Sequence, residues 1–290
     1  MNRRYFGRML AALGTLQGLG ATREALAAPT PAKNQMSKAE TEGLDNLQTY
    51  TTFLGGDPMR VGIVVYPGMY LQDVVGLTTV FESLAGRQIH LLWKRIEPVG
   101  SGDDELPALI SVQPTATFEN APKDLDVLIV PGTLPGKYAM MEDPELLDFL
   151  VKQAPKVRYV ASVGTGSLVL GAAGLLKGFK ATTYWPMRDI LKDLGATPSK
   201  QRVVIDRNRI TAAGTTASID LGLHLINQMR NPSQAQLVQL YLEYDPTPPY
   251  KGGSPEKAPK LVLEFMNRMY DGMVTQGHVV AQRAMKRLKG

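Results

Sequence analysis

Asp73 stands just behind an apolar strand-like run, within Leu71-Gln72-Asp73-Val74-Val75-Gly76, and is the acid closest to such a run. A carboxylate drawn partly out of water at the foot of a helix can hold a raised pKa and move protons. The plainer role for Asp73 is to cap a helix that begins at Val74. A second chemical position lies at Val163-Gly164-Thr165-Gly166-Ser167, where a β-branched run passes through a tight turn into a helix pattern. Such an elbow usually lifts a nucleophile, and its free N–H groups stabilise developing negative charge. Here the lifted residue is Gly164, which has no side chain to react, and the chain contains no cysteine. Thr165 could position a water, but its hydroxyl is unactivated without a nearby base. Gly132 and Thr133, following the apolar run that ends at Val130, offer backbone N–H groups to an anion, although their sequence equally suits a plain turn. His90, His224 and His278 are scattered and read as structural. No glycine-rich dinucleotide fingerprint, phosphate loop or metal-ligand spacing is present, and no cofactor is expected.

The elements needed to position these residues follow from hydrophobic patterning. The continuous apolar run at 61–65 and the segment 126–130 read as buried strands, the largely apolar segments 89–93 and 157–163 read as further strands, and the segments 74–84, 144–153, 166–173 and 217–229 read as helices. Alternation of this kind predicts an α/β three-layer sandwich with a mostly parallel central sheet. Residues 203–205 and 210–212 read as a hairpin, and 94–122 as a β-excursion. In an open sheet of this type ligands gather beyond the carboxyl ends of the strands, so the loops 66–73, 131–136 and 164–167 should converge. Near the C-terminus, Leu261, Val262, Phe265, Met266, Met269, Tyr270 and Met273 share one face of a helix, with Glu264 and Arg268 placed to pair beside it. That apolar face requires cover, from the chain's own body or from a second subunit.

The chain has 290 residues, 44% of them apolar, and a formal charge of +5. Paired arginines at Arg3-Arg4, a modest apolar run over 9–21 and Ala25-Leu26-Ala27 read as a twin-arginine export signal, so a periplasmic or secreted protein is expected, with a cytoplasmic one as the alternative. Removal of residues 1–27 would take four arginines and one glutamate and lower the charge to +2. That leaves no basic stripe for nucleic acid. No later run is long and apolar enough to span a membrane. The expected organisation is an export signal over 1–27, a linker over 28–57, an α/β domain over 58–255 and a helical extension over 256–290.

The stretches Leu71–Gly76, Val130-Pro131-Gly132, Ser162–Leu176, Ala181–Trp185 and Tyr244–Tyr250 resemble the ThiJ/PfpI superfamily, whose members share the class 1 glutamine amidotransferase-like, flavodoxin-like fold. Within it the likeness is greatest to the isonitrile hydratases. The resemblance implies an aspartate at Asp73 that polarises substrate or water, a reactive cysteine where Gly164 stands, and the threonine that follows it at Thr165. It also implies a histidine where Tyr184 stands and a second glycine where Thr133 stands. Gly132, Thr133, Tyr184 and Trp185 become the expected substrate-binding set, with Asp73, Thr165 and the Gly164 backbone as the catalytic set. The implied function is a lyase or hydrolase acting on a small molecule without a thiol, with Asp73 as general acid/base. The alternatives are a ligand-binding pseudoenzyme, or a hydratase whose cysteine has been replaced by glycine. A homodimer is expected from the family.

Overall fold

The computed structural model describes residues 56–101, 108–133 and 138–289. The expected export signal and nearly all of the expected linker therefore lie outside the described residues, as does part of the loop 131–136.

Seven strands form one sheet in the order β10 (Val203–Asp206), β11 (Arg209–Ala212), β7 (Tyr159–Val163), β6 (Val127–Val130), β1 (Met59–Val64), β2 (Arg87–Trp93) and β5 (Ala116–Thr117), and every neighbouring pair is parallel except β10 with β11; β8 (Lys180–Ala181) and β9 (Thr197–Pro198) form a separate parallel pair. The central members are β1 (Met59–Val64), β6 (Val127–Val130) and β7 (Tyr159–Val163), with β2 (Arg87–Trp93) and β11 (Arg209–Ala212) outside them. The apolar, β-branched sequences of β1, β6 and β7 suit burial on both faces, and Val61, Ile63, Val127 to Val130, Val160 and Val163 are all fully buried, whereas β2, nearer the sheet edge, buries only Leu92. The β-excursion is real but slight: β3 (Val99–Gly100) and β4 (Ser111–Val112) pair with each other, and β5 (Ala116–Thr117) joins the sheet edge. The expected hairpin is β10 (Val203–Asp206) with β11, paired antiparallel.

Helices cover both faces. They are α1 (Leu71–Glu82), α2 (Pro144–Gln153), α3 (Gly166–Ala172), α4 (Ile190–Asp193), α5 (Ala217–Met229), α6 (Pro232–Tyr241) and α7 (Lys260–Arg287). Helix α2 shows why its start was legible: Asp143 accepts the Leu146 N–H at 2.9 Å, and Pro144 occupies the first helical position. Helix α1 corrects the reading of its start. It begins at Leu71, not Val74, and its N-cap residue Tyr70 makes no side-chain capping bond. Asp73 is consequently inside the first turn, and its carboxyl accepts the Gly132 N–H from another loop, which removes the capping role.

The three histidines sit apart from these loops. His90 lies in β2 and His224 in α5, while His278 on α7 meets Asp193 at 2.6 Å. The anticipated Glu264–Arg268 pair is replaced by Glu264 with Lys260, four residues earlier, at 3.8 Å. Among the described residues no helix is long and apolar enough to cross a membrane.

Candidate active site

Because β1, β6, β7 and β11 run parallel, their carboxyl ends open on the same edge, and the segments that follow them build one cavity of about 360 Å³. Tyr70, Asp73, Gly132, Thr133, Gly164, Thr165 and Tyr184 line it, joined by Gly214, Thr215 and Thr216. Backbone contacts stitch these loops together. Tyr70 N–H donates to Gly132 O at 2.8 Å, Met69 and Thr133 form an antiparallel bridge, and the buried Tyr66 hydroxyl donates to Pro131 O at 2.5 Å. On the other side the Thr183 hydroxyl donates to Gly164 O and the Ser167 hydroxyl to Thr182 O, each at 2.7 Å, which anchors the segment carrying Tyr184 to the elbow.

The elbow has the expected form. Gly164 has φ +50°, a left-handed conformation that costs glycine nothing and other residues about 1 kcal/mol or more. A Cβ placed there would meet Ala213 O at 3.6 Å and the Gly132 Cα at 3.9 Å, so the site has room for a side chain and only the backbone conformation resists one. At Gly166 space is the constraint: a Cβ would come within 2.5 Å of Pro131 O, so glycine lets α3 close against the loop after β6. That close approach places Gly132 beside Thr165.

Asp73 is 1% exposed. Its Oδ2 accepts the Gly132 N–H at 2.6 Å, while Oδ1 is buried without a hydrogen-bond partner. Burial pushes the carboxyl up to about pKa 7, against the opposing pull of the Gly132 N–H and, less, of the nearby Thr215 hydroxyl, which stops short of hydrogen-bond geometry with Oδ1. At neutral pH the group is therefore divided between acid and carboxylate. Desolvation, with the Asp73 charge adding to it, also raises the phenol of Tyr66 well above its ordinary value, so that hydroxyl stays a donor.

Four of the expected donor groups are already bonded within the protein. The Thr133 N–H donates to the Thr165 hydroxyl oxygen at 2.8 Å, and that hydroxyl points back to Thr133 O at 3.2 Å. Thr165 Oγ1 is thus occupied in holding the loop, and neither it nor the Thr133 N–H is available to a substrate. The Gly132 N–H is equally committed, to Asp73, and the Gly164 N–H bonds Ala212 O at 2.9 Å. The N–H of Thr165 keeps its freedom: it has no partner among the described residues, and it would lie 3.4 Å from a Cβ at Gly132. Trp185 does not line the cavity; it packs behind Tyr184, with ring centroids 6.2 Å apart.

Gly214, Thr215 and Thr216 were missed in the sequence because 210–212 was treated as the end of a hairpin. The same residues form β11, parallel to β7 with Ala212 opposite Val163, so the glycine that follows opens on the same edge as Gly164. The signal was available: an apolar strand, Gly214, then the helix pattern from Ala217 repeats the order seen at the elbow.

The buried acid and the backbone turns around it, at the carboxyl edge of a flavodoxin-like sheet, belong to a three-layer α/β protein with a loop-built cavity. A model of the DJ-1/PfpI family matches residues 59–228, and the chain belongs to that family. It is 47% identical over 206 residues to isonitrile hydratase of Pseudomonas putida, covering 71% of this chain and 87% of the relative. A crystal structure of a THiJ/PfpI family protein from Pseudomonas syringae superposes with a TM-score of 0.73 at 38% identity, covering 89% of this chain and 97% of the other. The HTH-type transcriptional regulator GbdR of Pseudomonas aeruginosa is 34% identical over 121 residues, 41% of this chain and 32% of the regulator.

Proposed function

We propose that this chain is a cofactor-independent hydratase of the isonitrile hydratase type, working by acid/base chemistry without a covalent intermediate. The observation that carries the reading is the Asp73 carboxyl, buried at the cavity wall with a pKa pushed up to about 7. The 47% identity to isonitrile hydratase supports the substrate class.

In the proposed reaction Asp73, protonated on Oδ1, delivers its proton to the terminal carbon of R–NC. The Gly132 N–H at Oδ2 stabilises the carboxylate left behind. Water, its oxygen held by the free Thr165 N–H, adds to that carbon, returns a proton to Asp73, and gives the N-substituted formamide after proton transfer from oxygen to nitrogen. Proton transfer of this kind contributes roughly 10² to 10⁴ in rate. The test is turnover of cyclohexyl isonitrile by the purified protein and by Asp73→Asn. Formamide production that disappears in the variant and declines above about pH 7 supports the reading, and activity indifferent to the substitution overturns it.

A ligand-binding protein without turnover is the second reading. Gly164 supplies no nucleophile, and the Thr165 hydroxyl is held by Thr133. A regulator shares part of the framework, so that framework also occurs in a protein named for another task. A third reading, a hydratase that has exchanged its cysteine for glycine, draws on the room above Gly164. We infer in addition a homodimer, and export directed by Arg3-Arg4, for which cell fractionation with both arginines changed to lysine is the test.

A further inference from the structure

We propose that α7, which lies beyond the family-matched segment, completes the site: Tyr270 fixes the Tyr184 wall of the cavity and thereby sets which non-reacting group a substrate can carry. The inference rests on the hydratase reading for its substrate class, and on geometry for the wall.

The Tyr184 ring lines the cavity, and the hydrogen bonds that tie its segment to the elbow run through Thr182 and Thr183, which by themselves leave the ring free to swing. Tyr270 removes that freedom. The two hydroxyls meet at 3.0 Å and the rings pack edge to face at 5.7 Å with planes at 84°. Trp185 closes the group, 6.2 Å from Tyr270 and also edge-on. Aromatic contacts of this geometry add specific stabilisation to area burial, and a part-buried hydrogen bond between two phenols fixes orientation. Tyr270 is 7% exposed.

The helix is held so that Tyr270 keeps this position. The Tyr138 hydroxyl donates to Met273 O at 2.7 Å, His278 meets Asp193 at 2.6 Å, and Arg283 grips Glu142 through two hydrogen bonds of 2.8 and 3.0 Å. At Gly277 the helix passes so near the body that a Cβ would lie 2.8 Å from the Tyr138 hydroxyl and would overlap the end of Ile190. These ties fix both the rotation and the distance of α7.

The lining is chemically mixed: Asp73, Thr165 and Thr215 bring polar groups, and Tyr70 and Tyr184 bring aromatic rings. About 360 Å³ is at the small end of ligand cavities, so a substrate that places its reacting atom at Asp73 has little room left for its substituent, and the Tyr184 ring forms part of the wall that sets that room. A compact cyclic or aromatic substituent suits a small, partly aromatic cavity, and its fit depends on where Tyr270 holds Tyr184.

The experiment compares wild type, Tyr270→Phe and Tyr270→Ala for calorimetric binding and turnover of methyl isonitrile and cyclohexyl isonitrile. In Tyr270→Ala, Kd and KM for the cyclohexyl compound are expected to rise about fivefold to tenfold, with the methyl compound and both kcat values within about twofold of wild type. Tyr270→Phe, which keeps the ring, is expected to show a smaller rise in the same direction, and it provides the test if the alanine variant fails to fold. Equal losses for both ligands indicate a merely structural role and overturn the proposal, as does no change in either, or no binding of either by wild type. Substituent-dependent binding without turnover leaves the wall standing and removes the hydratase reading. Turnover without substituent dependence does the reverse.

Discussion

Asp73 and Gly132, 59 residues apart in sequence, are joined by a hydrogen bond of 2.6 Å from the Gly132 N–H to one carboxylate oxygen, and the other oxygen is buried without a partner. The bond holds Asp73 at the cavity wall, yet one donor does not offset the desolvation of the whole carboxylate, so the proton is retained to about pH 7.

That retention makes stability pH-dependent with a definite sign. The carboxyl titrates near 3.8 when solvated and near 7 in the fold. Below about pH 4 both states hold the proton and Asp73 contributes nothing to pH dependence. Between about 4 and 7 the unfolded chain releases its proton before the fold does, so stability falls as pH rises, by about 4 kcal/mol in all. Asp73→Asn keeps an acceptor for the Gly132 N–H and never ionises. Urea unfolding of both proteins from pH 4 to 8 should show the variant gaining on wild type across that window and the gap levelling above pH 7. Parallel curves would show that Asp73 ionises normally.

The sheet was legible because its central strands are largely apolar and β-branched, and the elbow because a strand, a glycine and a helix follow one another locally. Asp73 was legible as an acid behind a strand, but its environment was not, since that depends on Gly132 arriving from another loop. The commitments of the Thr133 N–H and the Thr165 hydroxyl to each other are likewise long-range facts. Tyr270 illustrates the limit most sharply: in sequence it is one of several apolar residues on a helix face, and only docking of α7 separates it from Leu261, Val262, Phe265 and Met269, which remain exposed. Trp185, expected in the cavity from the resemblance over Ala181–Trp185, packs behind the Tyr184 ring and outside the cavity lining.

Thr165→Val should damage the loop more than the chemistry of a hydroxyl would suggest. The substitution keeps the shape but leaves the buried Thr133 N–H without its acceptor, a loss of about 1–3 kcal/mol. The measurable result is a lowered melting temperature at every pH, together with weaker ligand binding. Thr165→Ser retains the hydroxyl and should recover most of the stability. A valine variant as stable as wild type would show that the hydroxyl is not needed to hold Thr133.

The exposed part of α7 bears on assembly. Leu261 and Phe265 are 77% and 66% exposed and stand on the same side of the helix, an arrangement that suits burial against a second subunit. Sedimentation velocity should find wild type as a dimer and the double variant Leu261→Glu/Phe265→Glu shifted to monomer, with its far-UV circular dichroism unchanged. A wild-type monomer, or a dimer indifferent to both charges, would place the interface elsewhere or remove it.

Gly164→Cys separates the readings of the site. The left-handed backbone at this position makes the variant less stable by about 1 kcal/mol, but the nearest atoms to a new Cβ stand at ordinary contact distances, so the fold should accept it. Because the chain has no other cysteine, iodoacetamide can report on this thiol alone, with one label per chain expected. If the surrounding groups still form a hydratase site, the thiol should raise isonitrile turnover by about tenfold or more through covalent catalysis, and labelling should abolish the increase. A thiol that labels readily while turnover stays at the wild-type level would show that the cavity no longer aligns substrate with the elbow. Coupled with tight binding and no product in the wild type, that outcome would assign this chain to ligand recognition.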